Sequence, residues 1–172
     1  MDCYPCVLPI SAPPEIGEYW PGQGGIYAGI MPDWSGGTSP QHLIFSVHEG
    51  TDLQWGGYLA SEPHARSPYD GALNTNALVR STYAHPAATW ADKYQKDGHA
   101  DFHLPSRREL DVGYATIEEQ FSASHWYWSS TEESATAAQG RNATQTGLDS
   151  LFKTFPGRVR AVRTVPAGAT DH

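Results

Sequence analysis

The chain has 172 residues, 39% of them hydrophobic and 17% charged, with 11 Lys and Arg against 19 Asp and Glu for a net charge of −8. That length supports one domain with its own core rather than two of comfortable size. The scattered cations exclude a protein that wraps a nucleic-acid backbone, because phosphate binding needs clustered Lys and Arg, and no segment approaches the roughly 20 apolar residues that span a bilayer.

Residues 1–21 read as an extended arm. Pro5, Pro9, Pro13, Pro14 and Pro21 hold the backbone out of helix and remove ladder donors, so the segment makes a poor central strand. Its apolar side chains, Tyr4, Val7, Leu8, Ile10, Tyr19 and Trp20, are too many for a free linker. They have two fates: packing on another subunit as an assembly arm, or folding back on their own domain. The start lacks the basic and apolar run of a secretory signal, so synthesis in a cytosol is expected. The only cysteines are Cys3 and Cys6. Their spacing suits half of a zinc site or a small redox ring, but no second ligand pair follows and no strand–helix junction holds them, which leaves an incidental pair as the other reading.

From residue 22 the pattern becomes β-like. Strands are expected over 24–31 and 42–48, joined as a hairpin by a long loop containing Trp34, and again over 53–58, where Gly56-Gly57 suggests a bulge or a close backbone approach. Trp34 and Trp55 are either exposed stacking platforms or closures of a sheet core. The middle is helical. Asn74 or Thr75 is a candidate cap for a helix to about residue 81, and Pro86 suits the first position of a helix that puts Trp90 and Tyr94 on one face and ends by Gly98. Ser106-x-x-Glu109 ahead of Leu110 is a capping-box pattern, predicting a helix over 106–115. Then come Tyr127-Trp128-Ser129-Ser130-Thr131, a polar loop over about 132–149, and terminal strands over 151–155 and 158–165, the register of the last being open between two pairings. Strands, then helices, then strands is an α+β order.

Leu104-Pro105-Ser106-x-x-Glu109-Leu110, Tyr127-Trp128-Ser129-Ser130-Thr131 and Gly157-Arg158-Val159-Arg160-Ala161-Val162-Arg163, taken together, resemble a phage and bacterial domain family of the C-type-lectin-like fold, which formylglycine-generating enzymes share. Gly24-Gly25-Ile26-Tyr27-Ala28-Gly29 and Trp55-Gly56-Gly57-Tyr58 resemble phage versions. The resemblance covers about 22–165 and leaves 166–172 as a flexible tail. It implies small antiparallel sheets with two to three short helices, and makes Leu104, Leu110, Trp128 and Val162 scaffold, with function in the loops.

Within the polar loop, Gln139, Arg141, Asn142, Thr144, Gln145 and Asp149 are candidate ligand-binding residues, since amides, hydroxyls and a guanidinium pair with sugar hydroxyls, and Trp126 is a candidate stacking face. Asn142-Ala143-Thr144 also matches a glycosylation acceptor. The Glu-Pro-Asn, Gln-Pro-Asp and Trp-Asn-Asp motifs of calcium-dependent sugar binding do not occur in the closing third. Glu132, Glu133 and Asp149 make a weak cation group, adjacent acids ordinarily facing water. No cysteine follows Cys6 to serve formylglycine-type chemistry, and His99 and His103 near Asp101 lack a paired nucleophile. The expectation is a non-enzymatic structural protein of a tailed-phage virion, made in the host cytoplasm. It would display its loops to a host-surface glycan or protein, with other virion proteins and copies of itself as partners and no cofactor. The alternative is a bacterial glycan-binding adhesin module.

Overall fold

Apolar alternation and tight glycine turns build the first half of the chain into strands. The computed structural model describes residues 11–32, 40–145 and 147–170. In chain order the strands before the helices are β1 (Tyr19–Trp20), β2 (Gly25–Met31), β3 (Gln41–Phe45) and β4 (Gly50–Leu53). The helices α1 (Gly71–Val79), α2 (Pro86–Lys93) and α3 (Arg107–Thr116) follow. The closing strands are β5 (Tyr127–Glu132), β6 (Ala137–Arg141), β7 (Ser150–Phe152), β8 (Gly157–Val159) and β9 (Val162–Pro166). The protein is therefore α+β, as its element order implies. One sheet runs β1-β2-β3-β9 and is antiparallel throughout; the other runs β4-β8-β5-β6-β7, with β5 and β8 parallel.

The first sheet is covered on both faces. Trp20, Tyr27, Ile44 and Val165 form a small cluster on one side, where Trp20 meets Tyr27 edge-on at 5.3 Å. Ala28, Leu43 and Phe45 pack on the other side against Leu110, Tyr114 and Phe121 of the α3 region. Tyr19 and Trp20, expected in the arm, thus belong to the domain: they form β1, and Trp20 is 0% exposed because β2 offers it a partner strand and an aromatic wall. Tyr4, Val7, Leu8, Ile10, Cys3, Cys6 and the loop residue Trp34 lie outside the described residues. The second sheet closes on α1 and α2 through Trp55, Leu78, Ala88, Leu104, Trp128 and Val159.

Helix α3 starts where its sequence says it should. Ser106 Oγ accepts from Glu109 N, and the Glu109 carboxylate accepts from Ser106 N at 2.8 Å, completing the capping box. The same carboxylate accepts from Gly71 N at 3.2 Å and meets His103 Nε2 at 3.2 Å, so one acid joins two helix starts. Burial by itself would raise its pKa; His103 and the Ser106 bonds outweigh burial and hold the carboxyl below its ordinary range.

Several expected boundaries move for identifiable reasons. Helix α1 begins at Gly71 with Asp70 as its cap, because Asn74 and Thr75 are turned inward: Asn74 Nδ2 donates to Ser67 O, and Thr75 Oγ1 accepts from Leu104 N. Helix α2 starts at Pro86 as expected and brings Trp90 and Tyr94 within 5.4 Å, but stops at Lys93; Gly98 serves a later turn. The third strand falls at Gly50–Leu53, and Gly56-Gly57 make the close approach instead, a Cβ on Gly57 standing 2.7 Å from the His85 ring. The expected 132–149 loop contains β6, whose inward positions are Ala138 and Gly140, side chains too small to signal a strand. The expected 158–165 strand splits at Arg160 and Ala161, because Ser46 brackets Ala161 and Arg160 turns inward to Glu49 and Gln120 O, passing the chain from one sheet to the other. Pro166, expected in the tail, ends β9, and Ala167–Thr170 form a 3₁₀ turn.

Candidate functional site

Trp126 stands just before β5, clamped by two glycines. A Cβ on Gly140 would lie 2.6 Å from its Cζ2, and one on Gly157 would lie 3.0 Å from its Cδ1. The ring also meets Trp128 edge-on at 5.6 Å and is 3% exposed. Its faces are therefore covered, and the open stacking platform expected from sequence is not what it offers. Its Nε1–H is buried with no hydrogen-bond partner among the described residues. Leaving such a donor unpaired costs about 1–3 kcal/mol, whereas Trp55 and Trp128 nearby donate to Ser129 O and Leu53 O at 2.9 Å each.

Trp126 and Gly157 line a cleft of about 590 Å³. Leu148, Leu151, Phe155 and Pro156 give it apolar lining; Asn142 and Gln145 line it from the β6–β7 connection, with Asn142 Oδ1 accepting from Thr144 N and Oγ1 at 2.9 Å. Thr51 and Asp52 also line the cleft, at a register shift between Gly50 and Leu53 where Asp52 has φ 55. Asp tolerates that left-handed conformation better than most residues, and bulges commonly re-aim side chains beside sites.

The charged end of the cleft is His125 and Arg158. Arg158 Nη1 donates to Glu49 at 3.0 Å and Nη2 to His125 Nε2 at 3.2 Å. A guanidinium can only donate, so Nε2 accepts and the imidazole proton sits on Nδ1, facing Ser122 Oγ at 2.7 Å. The Ser122–His125 pair has the spacing of a nucleophile and base, but its polarity is reversed: a serine base needs its far nitrogen to donate to a carboxylate, and here that nitrogen faces a cation. Glu49 also accepts from Tyr127 and Arg160. Burial would raise its pKa, yet the Tyr127 hydroxyl and the two arginines keep it low, so this acid remains a fixed anion beneath the cleft.

The structure brings Trp126, Asn142 and Gln145 together and separates the other sequence candidates. Gln139 Nε2 donates to Glu133 at 2.6 Å, and Asp149 pairs with Arg107 at 3.0 Å, both in a different recess. Arg141 is pinned to Asp111 at 3.0 Å and lies over the Tyr114 ring. Thr144 is exposed and bonds back to Asn142. Glu132, expected to face water with Glu133, is instead fully buried: it binds Lys153 Nζ at 2.8 Å, Arg66 at 2.8 Å and Glu62 N at 2.7 Å. His99 and His103 are apart in role, the first bonded to Gly22 O and the second to Glu109, while Asp101 pairs with Arg163. Sequence reasoning missed Thr51, Asp52, Leu151, Phe155 and Arg158; only Phe155-Pro156-Gly157, a turn following an aromatic, carried a usable signal.

A second cleft of about 430 Å³, near Leu73 and His103, has Glu109 in its lining, and that acid is already engaged by the capping box and Gly71. Among the described residues no group of three or more His, Cys, Asp or Glu is arranged to hold a metal ion, and no helix is long and apolar enough to cross a membrane. No protein-family model matches the chain, and no curated protein matches it.

Proposed function

We propose that this chain is a non-enzymatic display module of a tailed-phage virion, with a fold of the C-type-lectin-like class, that reads a host-surface glycan through the Trp126 cleft. The fold assignment is supported by the way the Leu104-Pro105-Ser106 segment launches a helix packed on the sheets, the Tyr127–Glu132 strand is buried along its length, and the last strand joins β3. The observation that carries the binding reading is the convergence of Trp126, Asn142 and Gln145 on one cleft whose lining also holds Leu148, Leu151, Phe155 and Pro156. Sugars present hydroxyl edges and apolar faces together, which is what such a lining matches. Binding is favoured over catalysis because His125 is oriented by a cation and Glu49 is fully engaged.

An array of host-surface glycans tests the reading: the intact chain binds, and Asn142→Ala and Gln145→Ala each weaken binding while leaving the thermal transition in place. Binding untouched by both changes overturns the site. Deleting residues 1–10, which spares Ser11 and its bond from Trp20 Nε1, separates the two origins. Loss of assembly with the fold intact supports a virion part; unchanged assembly with retained glycan binding supports a bacterial adhesin module.

A further inference from the structure

Resting on the glycan reading of the Trp126 cleft, we infer that its ligand is an amino sugar in its ammonium form, and that Asp52 is the residue that selects it. Besides His125, two side chains that carry charge line the cleft, Asp52 and Arg158. Arg158 is committed: Nη1 donates to Glu49 at 3.0 Å and Nη2 to His125 Nε2 at 3.2 Å, which leaves that imidazole with its proton on Nδ1. Arg160, the second cation on Glu49, is buried and gives its other donors to Gln120 O and Ser46 O. Asp52 is exposed and has no ion pair or hydrogen bond to its side chain among the described residues. The uncommitted charge on the lining is therefore negative.

The backbone points the same way. A non-glycine residue at φ 55 is uncommon, and such conformations gather at ligand sites; here one sets an acid on the cleft. A charge needs no contact to be felt: at about 0.1 M salt screening sets in over about 10 Å, a length comparable with a cleft of about 590 Å³. An ammonium on a bound sugar gains from Asp52 over that range. A uronic acid meets repulsion from Asp52, finds both arginines engaged, and approaches a chain of net charge −8. A lysine side chain carries the same ammonium without ring hydroxyls, and so leaves the amides of Asn142 and Gln145 unused.

Calorimetric titration of the full chain at about pH 6, with the sugar amine protonated, tests the inference. The probes are chitobiose, cellobiose with hydroxyls in place of the amines, di-N-acetylchitobiose with the amines capped, cellobiouronic acid, and trilysine. Chitobiose binds about three- to five-fold tighter than cellobiose and di-N-acetylchitobiose, the factor an exposed charge pair gives, and cellobiouronic acid binds weakest. The margin shrinks as salt rises from about 10 mM to about 500 mM. Asp52→Asn, a residue that accepts the same left-handed backbone, brings chitobiose down to the level of cellobiose and leaves cellobiose binding unchanged. Equal binding of chitobiose and cellobiose by the native chain, or a preference that survives Asp52→Asn, overturns the amino-sugar assignment and leaves the glycan reading standing. Trilysine binding as tightly as chitobiose overturns it in favour of a cationic peptide. Absence of binding by every saccharide probe overturns both readings.

Discussion

The two ends of the strand Tyr127–Glu132 treat polar groups in opposite ways. At its far end Glu132 is buried, yet Lys153, Arg66 and the Glu62 amide all reach it, and Lys153 Nζ also donates to Ala60 O above the Trp55 ring. At its near end Trp126, whose buried indole N–H has no partner among the described residues, lines a cleft. Both ends are polar and both are lined by aromatics. The difference is that at the far end the buried acid is fully engaged, whereas at the near end chain segments distant in sequence meet around a cleft.

The largest effect expected belongs to the engaged end. Lys153→Met leaves the buried Glu132 carboxylate with the half-exposed Arg66 as its remaining countercharge, and removing one partner of a buried pair costs about 3–5 kcal/mol. Urea unfolding measures it; a loss below about 1 kcal/mol would mean that the pair is not the anchor described. Glu109→Gln comes next, at about 1–3 kcal/mol at pH 7, because three donors lose a charged acceptor. Its pH dependence has a definite sign. The carboxyls of Glu109 and Glu49 are held below their ordinary 4.5, so the unfolded chain takes up protons first. Their stabilisation is complete above about pH 4.5 and is lost as pH falls below that value through the depressed ones. Unfolding followed from pH 7 to pH 3 should steepen below 4.5 in the native chain and flatten in Glu109→Gln.

Smaller effects sharpen the contrast from the other side. Arg141→Ala removes a partly exposed ion pair with Asp111 and a contact with Tyr114; the cost is about 0.5 kcal/mol, and glycan binding is unchanged. Asn142→Ala and Gln145→Ala shift unfolding by less than about 0.5 kcal/mol and act on binding alone. A pair of changes that moved stability strongly and binding weakly would reassign the cleft to the scaffold.

Sequence was most legible where local chemistry and tertiary packing agree. Ser106 and Glu109 announced α3 because the capping box is a short-range device, and Pro86 announced α2 because a missing N–H costs nothing at a helix start. It misled where a tertiary partner overrides local preference: Asn74 and Thr75 look like caps and are buried mid-helix, held by Ser67 and Leu104. β6 stayed hidden because its buried positions are Ala138 and Gly140, and Gly140 is needed by the Trp126 ring rather than by the strand. For the site, the amides of Asn142 and Gln145 were legible as a polar loop. The wall from Leu151 to Pro156 and the rim at Thr51 and Asp52 come from distant parts of the chain, and nothing local ties them to Trp126.

Nitrogen-resolved NMR of the tryptophan indoles reads the cleft directly. The chain has six tryptophans, and three indoles, those of Trp20, Trp55 and Trp128, already donate within the protein. On titration with a glycan that binds on the array, the Trp126 indole signal and the Asn142 and Gln145 side-chain amide signals, all from residues lining the cleft, should shift, while Trp55 and Trp128 hold still. Saturating ligand that leaves the Trp126 signal in place and shifts residues elsewhere would contradict binding at this cleft.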